Sequence, residues 1–223
     1  MWCIPKVDRQ FIQRMEDVLD LYEKQYDQKE PILCFDEKSI QLLEHTRAMI
    51  LSKKGRSRKV DYEYKRNGTA NIFVTVDPKA GFRTKRITKR RTKTDFAKEI
   101  ERIVNIPRYK GAKRIHIVLD NLNTHSKKSI RETFDKEKGA EILSRIKFHY
   151  TPKHASWLNM AEIEIGILSR QCLKQRIATE KDMRKQVSAW QRERNRRRMK
   201  IQWRWTKKDA RKVFHYRPQV LNE

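Results

Sequence analysis

This sequence of 223 residues lacks the features that define several classes of protein. Its three cysteines, Cys3, Cys34 and Cys172, lie far apart and form no CxxC pair. This excludes a disulfide framework and a zinc ribbon, and it indicates a reducing compartment. No apolar run approaches the roughly 18 residues of a membrane-spanning helix, and charges from Lys6 onward interrupt any signal-like segment. We therefore expect a protein of the cell interior with no membrane partner.

Acidic residues are also scarce. The chain has 28 Asp and Glu against 54 Lys and Arg, which gives a formal net charge of +26 at pH 7. A positive field of this size predicts a polyanionic partner, and nucleic acid is the best candidate. The apolar residues fall in short periodic runs, so we expect a folded domain with basic surfaces rather than a disordered basic tail. No internal repeat or low-complexity linker divides the chain.

The hydrophobic pattern predicts strands first and then alternating helices and strands. Helices are predicted from Asp8, Thr94, Ser126, Ser156, Thr179 and a capping box of Thr206 and Asp209. Strands are predicted at 31–36, 41–46, 60–65, 71–76, 115–119 and 146–150, with turn signals at Gly68 and Asp77. This order is typical of an α/β domain in which a mixed sheet is covered by helices.

Two predicted strands end directly in an aspartate, Asp36 and Asp120. In open α/β sheets, functional sites form beyond the carboxyl ends of strands. For either aspartate alone, capping of the next turn or helix is the more common role. Two such acids in a chain of charge +26 favour a different role, in which carboxylates hold a hard cation against a phosphate.

The segment that follows the last predicted strand offers two candidates for a third acid, Glu162 and Glu164. Both flank the apolar stripe of a predicted helix, about 200° apart at roughly 100° per residue. Helical periodicity therefore does not choose between them, and only one can face the two aspartates.

Three motifs in order carry a resemblance to a known family. FDEKS (35–39), VLDNLNTH (118–125) and YTPKHASWLNMAE (150–162) resemble the acidic motifs of the mariner superfamily of transposases, and most closely the bacterial insertion-sequence branch numbered 630. The resemblance covers essentially the whole chain from Trp2 onward. It aligns Asp36, Asp120 and Glu162 with the family's catalytic, metal-binding triad.

The resemblance implies a ribonuclease-H-like fold, in which the triad binds two Mg²⁺ ions, with Mn²⁺ as a substitute. It implies cleavage of double-stranded DNA at the element's terminal inverted repeats and transfer of the freed 3′-OH to target DNA at TA dinucleotides. It also implies a homodimer on DNA in the bacterial cytoplasm, associated with the nucleoid. The expected site-lining residues are Glu37, Asn121, His125 and Asn159.

Two of these lining residues have open roles. Glu37 should point away from Asp36 if the strand continues, which leaves it a secondary role at best. His125 either contacts a phosphate or a metal-bound water, or makes a local hydrogen bond at the start of a helix.

The chain departs from the family pattern in two places. The interval between Asp120 and Glu162 is longer than usual, and the segment 136–142 has the character of an inserted surface loop or helix extension. Family members also carry an N-terminal helix-turn-helix region, and none fits before Trp2. We therefore expect a truncated copy, an excised piece or the second reading frame of a split gene. The expected divisions are a linker helix (1–30), a catalytic domain (31–175) and a basic helical extension (176–223).

Three basic clusters are expected to bind the DNA backbone, because few acids are interleaved to neutralise them. Such contacts position DNA without reading its sequence. Their residues are Lys53, Lys54, Arg56, Arg58 and Lys59; Arg83, Lys85, Arg86, Lys89, Arg90 and Arg91; and Arg194, Arg196, Arg197 and Arg198.

Two other classes of function compete with an active transposase. A catalytically dead or repurposed DNA-binding relative would gain nothing from an intact acidic triad. Another ribonuclease-H-like nuclease would share the fold, but the LNMAE and DNLNTH motifs favour a transposase.

Overall fold

A mixed five-stranded sheet forms the centre of the computed structural model, which describes residues 7–47, 50, 53–55, 57 and 61–217. Its strands are β1 (Ile32–His45), β2 (Tyr64–Asp77), β3 (Phe82–Thr88), β4 (Ile115–Leu119) and β5 (Ile146–Tyr150). They lie in the order β3-β2-β1-β4-β5. Strands β1, β2 and β3 are antiparallel, whereas β4 and β5 run parallel to β1. The expected mixed α/β sheet is confirmed.

Seven α-helices surround this sheet in the described part of the chain. They are α1 (Arg9–Glu23), α2 (Lys93–Val104), α3 (Lys127–Thr133), α4 (Lys136–Ser144), α5 (Met160–Gln171), α6 (Glu180–Arg196) and α7 (Lys207–Phe214). Side chains of Asp8, Ser126, Thr179 and Thr206 cap helices where the sequence predicts it. The segment 136–142 with the character of an insertion belongs to α4, a separate helix.

The strands on the antiparallel side differ most from the sequence prediction. The two strands predicted at 31–36 and 41–46 form one continuous β1, and the expected turn at Gly68 lies inside β2. Gly68 has a φ of 103° and lies opposite a register shift between Gln41 and Leu43. This glycine therefore allows a β-bulge rather than a turn. Residue 60 of the strand predicted at 60–65 lies outside the described residues, residues 61–63 are not strand, and 64–65 begin β2, which also contains the strand predicted at 71–76.

Edge strand β3 was not predicted, because its basic residues suggest an exposed surface segment. In the fold, α6 lies along this edge. Gln191 and Asn195 of α6 both donate to the carbonyl of Arg83 at 3.0 and 2.9 Å, and the Asn195 Oδ1 accepts the Arg83 N–H at 2.8 Å. A helix thereby satisfies backbone groups that an open sheet edge would leave exposed.

Buried apolar residues cover both faces of the sheet. On one face, Phe35 and Phe73 of the sheet pack in one cluster with Phe96 of α2 and with residues of α3 and α4. On the other, α1 and α7 pack over β1 and the start of α5, while α6 packs against α5 and β2. The linker helix and the basic extension expected from the sequence thus share their cores with the sheet. None of the described helices is long and apolar enough to cross a bilayer.

Candidate active site

The parallel pairing of β1 with β4 brings the two aspartates together. Cys34 lies opposite Val118 in this ladder, and Asp36 and Asp120 each follow two residues later. Neighbouring strands lie about 4.8 Å apart, so the two aspartates leave the sheet side by side at the carboxyl end of β4. β1 continues beyond Asp36 because its other edge pairs with β2, where Asp36 faces Val74.

Asn159 brings the third acid to the same place. The helix predicted from Ser156 starts later than expected: Ser156–Leu158 form a 3-10 turn, and Asn159 is the N-cap of α5. Its Oδ1 accepts the Ala161 N–H at 3.1 Å, and its Nδ2 donates to the carbonyl of Phe35 at 2.8 Å. This second bond ties the first turn of α5, which contains Glu162, to the residue that precedes Asp36.

The pKa of Asp36 agrees with this arrangement of the three acids. Burial raises the pKa of Asp36 to about 8, and the charges of Glu162, Asp120 and Glu37 contribute to the increase. Only 8% of the residue is exposed. A carboxyl group with this pKa is largely protonated at neutral pH, because burial disfavours its charged form and the neighbouring carboxylates add to this effect.

His125 connects Asp120 with Glu37. Its Nδ1 lies 2.6 Å from Asp120 Oδ1, and its Nε2 lies 2.8 Å from Glu37 Oε2, at an angle poor for a directed hydrogen bond. Burial of the ring lowers its pKa, but the two carboxylates outweigh this and raise the pKa of His125 to about 9. Burial alone would also raise the pKa of Asp120, yet His125 holds that pKa below its usual value.

The ring of His125 is closed off from solvent. It is 1% exposed and packs against the rings of Phe35 and Phe96, at centroid distances of 5.3 and 4.8 Å. Both ring nitrogens already face carboxylates. The buried ring therefore has no free nitrogen for a phosphate or a metal-bound water, and of the two roles left open by the sequence the structure shows the local hydrogen bond, which is made to Asp120. The side chain of Glu37 is 2% exposed on the opposite side of β1 from Asp36.

Asn121 fixes the loop that follows Asp120. Its Nδ2 donates to the carbonyl of Thr151, at the end of β5, and its Oδ1 accepts from Arg14 of α1. The position of Asp120 is thus set from three sides, by β4, His125 and Asn121.

The structure distinguishes the two glutamates that helical periodicity could not. Glu162 is exposed in the first turn of α5, next to Asp36. Glu164 is fully buried and bonded to Arg83 and Arg194. Glu162 is therefore the acid available to a substrate or an ion.

Several of the basic residues expected on DNA lie elsewhere. The DNA-contact prediction is wrong for Arg83, which is 1% exposed, and for Arg194, whose side chain is 12% exposed, because both guanidinium groups bind Glu164. The Lys85 ammonium donates to Ser188 of α6 at 2.7 Å, and Arg86 is half-buried. Arg56, Arg58 and Lys59 lie outside the described residues. The exposed members are Lys53, Lys54, Lys89, Arg90, Arg91, Arg196, Arg197 and Arg198.

The exposed segment 89–91 lies beside the acidic site. Arg91 Nη1 is 3.6 Å from Glu37 Oε1, and the charge of Arg91 also contributes to the lowered pKa of Asp120. Arg196 and Arg197, by contrast, pair with Glu193 on their own helix. Of these two groups, the 89–91 segment is the one next to the site.

The donor set at this site fits a hard divalent cation. Asp36, Asp120 and Glu162 offer carboxylate oxygens, the ligands that Mg²⁺ prefers. A cation would neutralise the charges of Glu162 and Asp120, which add to the effect of burial on the pKa of Asp36. Among the described residues, no three Asp, Glu, His or Cys side chains already stand in metal-coordinating geometry.

Comparisons with known proteins show the family and the fold of the chain. The family model described as DDE superfamily endonuclease matches residues 31–184. No curated protein matches the sequence.

Solved structures of the Mos1 mariner transposase are similar in fold. A paired-end complex with Mn has a TM-score of 0.56 at 16% identity, over 89% of this chain and 61% of that chain. A strand transfer complex has a TM-score of 0.56 at 15% identity, over 89% and 60%. The chain thus spans about three fifths of the length of these relatives. The likeness confirms the expected ribonuclease-H-like fold.

Proposed function

This chain belongs to the DDE superfamily of endonucleases, and from that premise we propose that it is the catalytic part of a DNA transposase. In this proposal it cleaves DNA at the ends of a mobile element and transfers the freed 3′-OH to target DNA. The observation that carries the proposal is geometric: the β1–β4 ladder places Asp36 beside Asp120, and the bond from Asn159 to Phe35 ties the turn that contains Glu162 to the same place. The raised pKa of Asp36 agrees with this arrangement.

The three carboxylates would hold two Mg²⁺ ions, for which Mn²⁺ would substitute. When bound, such ions activate the attacking oxygen and stabilise the leaving oxygen of an in-line displacement at phosphorus. The protein's own residues fix the ligands: Asn159 holds the first turn of α5 against β1, and His125 holds Asp120. Water as nucleophile gives cleavage and a 3′-OH gives joining, so one site serves both reactions.

The exposed cations next to this site bind the DNA backbone. Lys89, Arg90 and Arg91 stand at the edge where Glu37 and Asp120 lie, so they can hold the strand that is being cut. Lys53 and Lys54 on the β1–β2 connection and Arg198 after α6 are further exposed cations that can bind the DNA backbone.

The finer parts of the proposal follow from the resemblance of the three motifs. The chain is assigned to the bacterial insertion-sequence branch numbered 630, with terminal inverted repeats as its substrate and TA dinucleotides as its target. It acts as a homodimer on DNA, since two ends must be cut together, and it works in the cytoplasm at the nucleoid without a membrane partner.

Metal-dependent nicking of supercoiled DNA tests the catalytic assignment. The wild-type protein should nick DNA when Mg²⁺ or Mn²⁺ is added, and Asp120→Ala should abolish this nicking without lowering DNA binding in EDTA. Equal nicking by both proteins would remove the triad assignment. Binding without metal-dependent nicking in the wild type would favour a repurposed DNA-binding protein.

Strand transfer separates a transposase from another ribonuclease-H-like nuclease. A precleaved element end that carries its own 3′-OH should be joined to a target plasmid by the wild-type protein. An enzyme that cuts DNA with the same metal dependence but never joins this end would be a nuclease of another kind.

A further inference from the structure

A buried cluster of three charged side chains joins α5, which carries Glu162, to β3 and α6. Glu164 on α5 is fully buried and accepts two hydrogen bonds from each of two arginines. Arg83 donates to it at 2.7 and 3.1 Å, and Arg194 at 3.1 and 3.0 Å. Arg83 also donates to the carbonyls of Gly81 and Met199. Each guanidinium group donates one hydrogen bond to each carboxylate oxygen, so the carboxylate is held in one orientation.

Stability alone is a poor explanation for this cluster. Removing charges from water costs free energy that their attraction often does not repay, and apolar residues of similar volume can be equally stabilising. The cluster adds something that apolar packing lacks, namely one defined orientation of the glutamate with respect to β3 and α6.

That orientation is transmitted to Glu162, two positions earlier on the same helix. Residues two apart on a helix point about 200° away from each other, so locking Glu164 toward β3 and α6 turns Glu162 toward the other flank of α5. Asn159 fixes where the helix starts, and the apolar residues of α5 pack against the sheet and α6, but apolar contacts are not directional. The Glu164 cluster adds directional bonds that set the rotation of α5 about its axis.

We propose that Glu164, clamped by Arg83 and Arg194, is a positioning residue that sets the rotation of α5 and holds Glu162 toward Asp36 for metal binding. The proposal rests on the proposed function, since a rotated Glu162 matters only if it binds metal. It also gives α6 a role in the catalytic centre, because Arg194 reaches Glu164 from that helix.

Direct measurement of Mn²⁺ binding tests this proposal without relying on activity. The full chain is titrated with Mn²⁺ without DNA, and the free ion is followed by electron paramagnetic resonance. Arg194→Met should weaken Mn²⁺ binding roughly ten- to hundredfold, the effect typical of residues that orient metal ligands. Arg194→Lys keeps the charge but loses the fork, so its binding should be intermediate.

Arg196→Met is the matched control. Arg196 lies on the same helix, loses the same charge on substitution, and is exposed and paired with Glu193 rather than with Glu164. Its Mn²⁺ affinity should equal that of the wild type. Equal affinities in Arg194→Met and Arg196→Met would overturn the proposal. Should Arg194→Met lack a cooperative unfolding transition, Arg194→Lys decides by the same comparison.

A double-mutant cycle separates positioning from a general loosening of the fold. Glu162→Gln should itself weaken Mn²⁺ binding, and Arg194→Met should cause little further loss in that background, because both act through one ligand. An equal additional loss in both backgrounds would overturn the positioning role. If Glu162→Gln binds Mn²⁺ as tightly as the wild type, the proposed metal site fails first, and the positioning role fails with it.

Discussion

Asp77 carries a buried carboxyl group outside the candidate active site. It ends β2 and is 1% exposed, and its Oδ1 accepts the Ala80 N–H at 2.8 Å. Its Oδ2 has no hydrogen-bond partner among the described residues. Burial raises the pKa of Asp77 to about 6, although Arg108 and Lys79 act in the opposite direction.

This raised pKa predicts a pH-dependent stability. Between about pH 4 and pH 6 the folded chain keeps a proton on Asp77 that the unfolded chain loses, so the free energy of unfolding falls as the pH rises through 6. Asp77→Asn retains the Oδ1 acceptor and cannot ionise. Relative to this variant, the wild type should lose roughly 2–3 kcal/mol between pH 4 and pH 7, as measured by urea denaturation. A pH-independent difference would show that Asp77 ionises normally when folded.

The residues of the site could be predicted from the sequence only where a strand or a motif determines which way a side chain points. Asp36 and Asp120 end strands of clear apolar character, and the structure places both at the carboxyl end of β4. The motif resemblance selects Glu162, but the physical reason for the choice is the burial of Glu164 against Arg83 and Arg194. These two arginines are distant in sequence and resemble ordinary basic surface residues. A buried arginine has no local signature, because its burial is decided by a partner elsewhere in the chain.

At the scale of elements, the cap of α5 connects stability with catalysis. Asn159→Ala removes the hydrogen bonds to the Ala161 N–H and to the Phe35 carbonyl. We expect a loss of about 1–2 kcal/mol in the free energy of unfolding, typical of a lost N-cap. Because Glu162 lies in the freed turn, metal-dependent cleavage should also fall, roughly ten- to hundredfold.

Thr206→Ala is the control for this prediction. Thr206 forms the capping box of α7 with Asp209, so its loss should cost about 1 kcal/mol and leave cleavage unchanged. Thermal unfolding and a nicking assay give the two readouts. A parallel loss of cleavage in both variants would mean that stability alone accounts for the effect of Asn159→Ala.

The elements themselves were predicted best where periodicity was undisturbed. β4 and β5 lie where the sequence predicts them, at 115–119 and 146–150. β3 was missed because its basic side chains have partners that local patterns do not reveal: Arg83 binds Glu164 of α5, and Lys85 donates to Ser188 of α6. The late start of α5 was missed because Ser156 and Asn159 are both good caps, and only the bond from Asn159 to Phe35 decides between them.

At the scale of the whole molecule, the net charge of +26 predicts salt-dependent DNA binding. The double variant Lys89→Ala, Arg90→Ala removes two exposed cations beside the site. If both bind phosphates, the slope of log affinity against log salt should become shallower by about 2. Affinities measured by fluorescence anisotropy in EDTA at several salt concentrations give this slope.

The control removes the same charge from the opposite end of β4. Lys110 and Lys113 are exposed and precede β4, far along the strand from Asp120, so their double alanine variant should leave the slope nearly unchanged. The same change of slope in both variants would indicate binding by total charge rather than by the 89–91 surface.

The pairing of α1 with α7 brings the two ends of the described chain close together. The rings of Phe11 and Phe214 are 5.7 Å apart between centroids, and the Lys207 N–H donates to Glu23 at the far end of α1. The helices therefore run antiparallel along each other, with residue 217 near residue 7. A permuted chain in which a short glycine-rich linker connects residue 217 to residue 7, with new ends opened at the exposed Asp135 between α3 and α4, should therefore keep the fold.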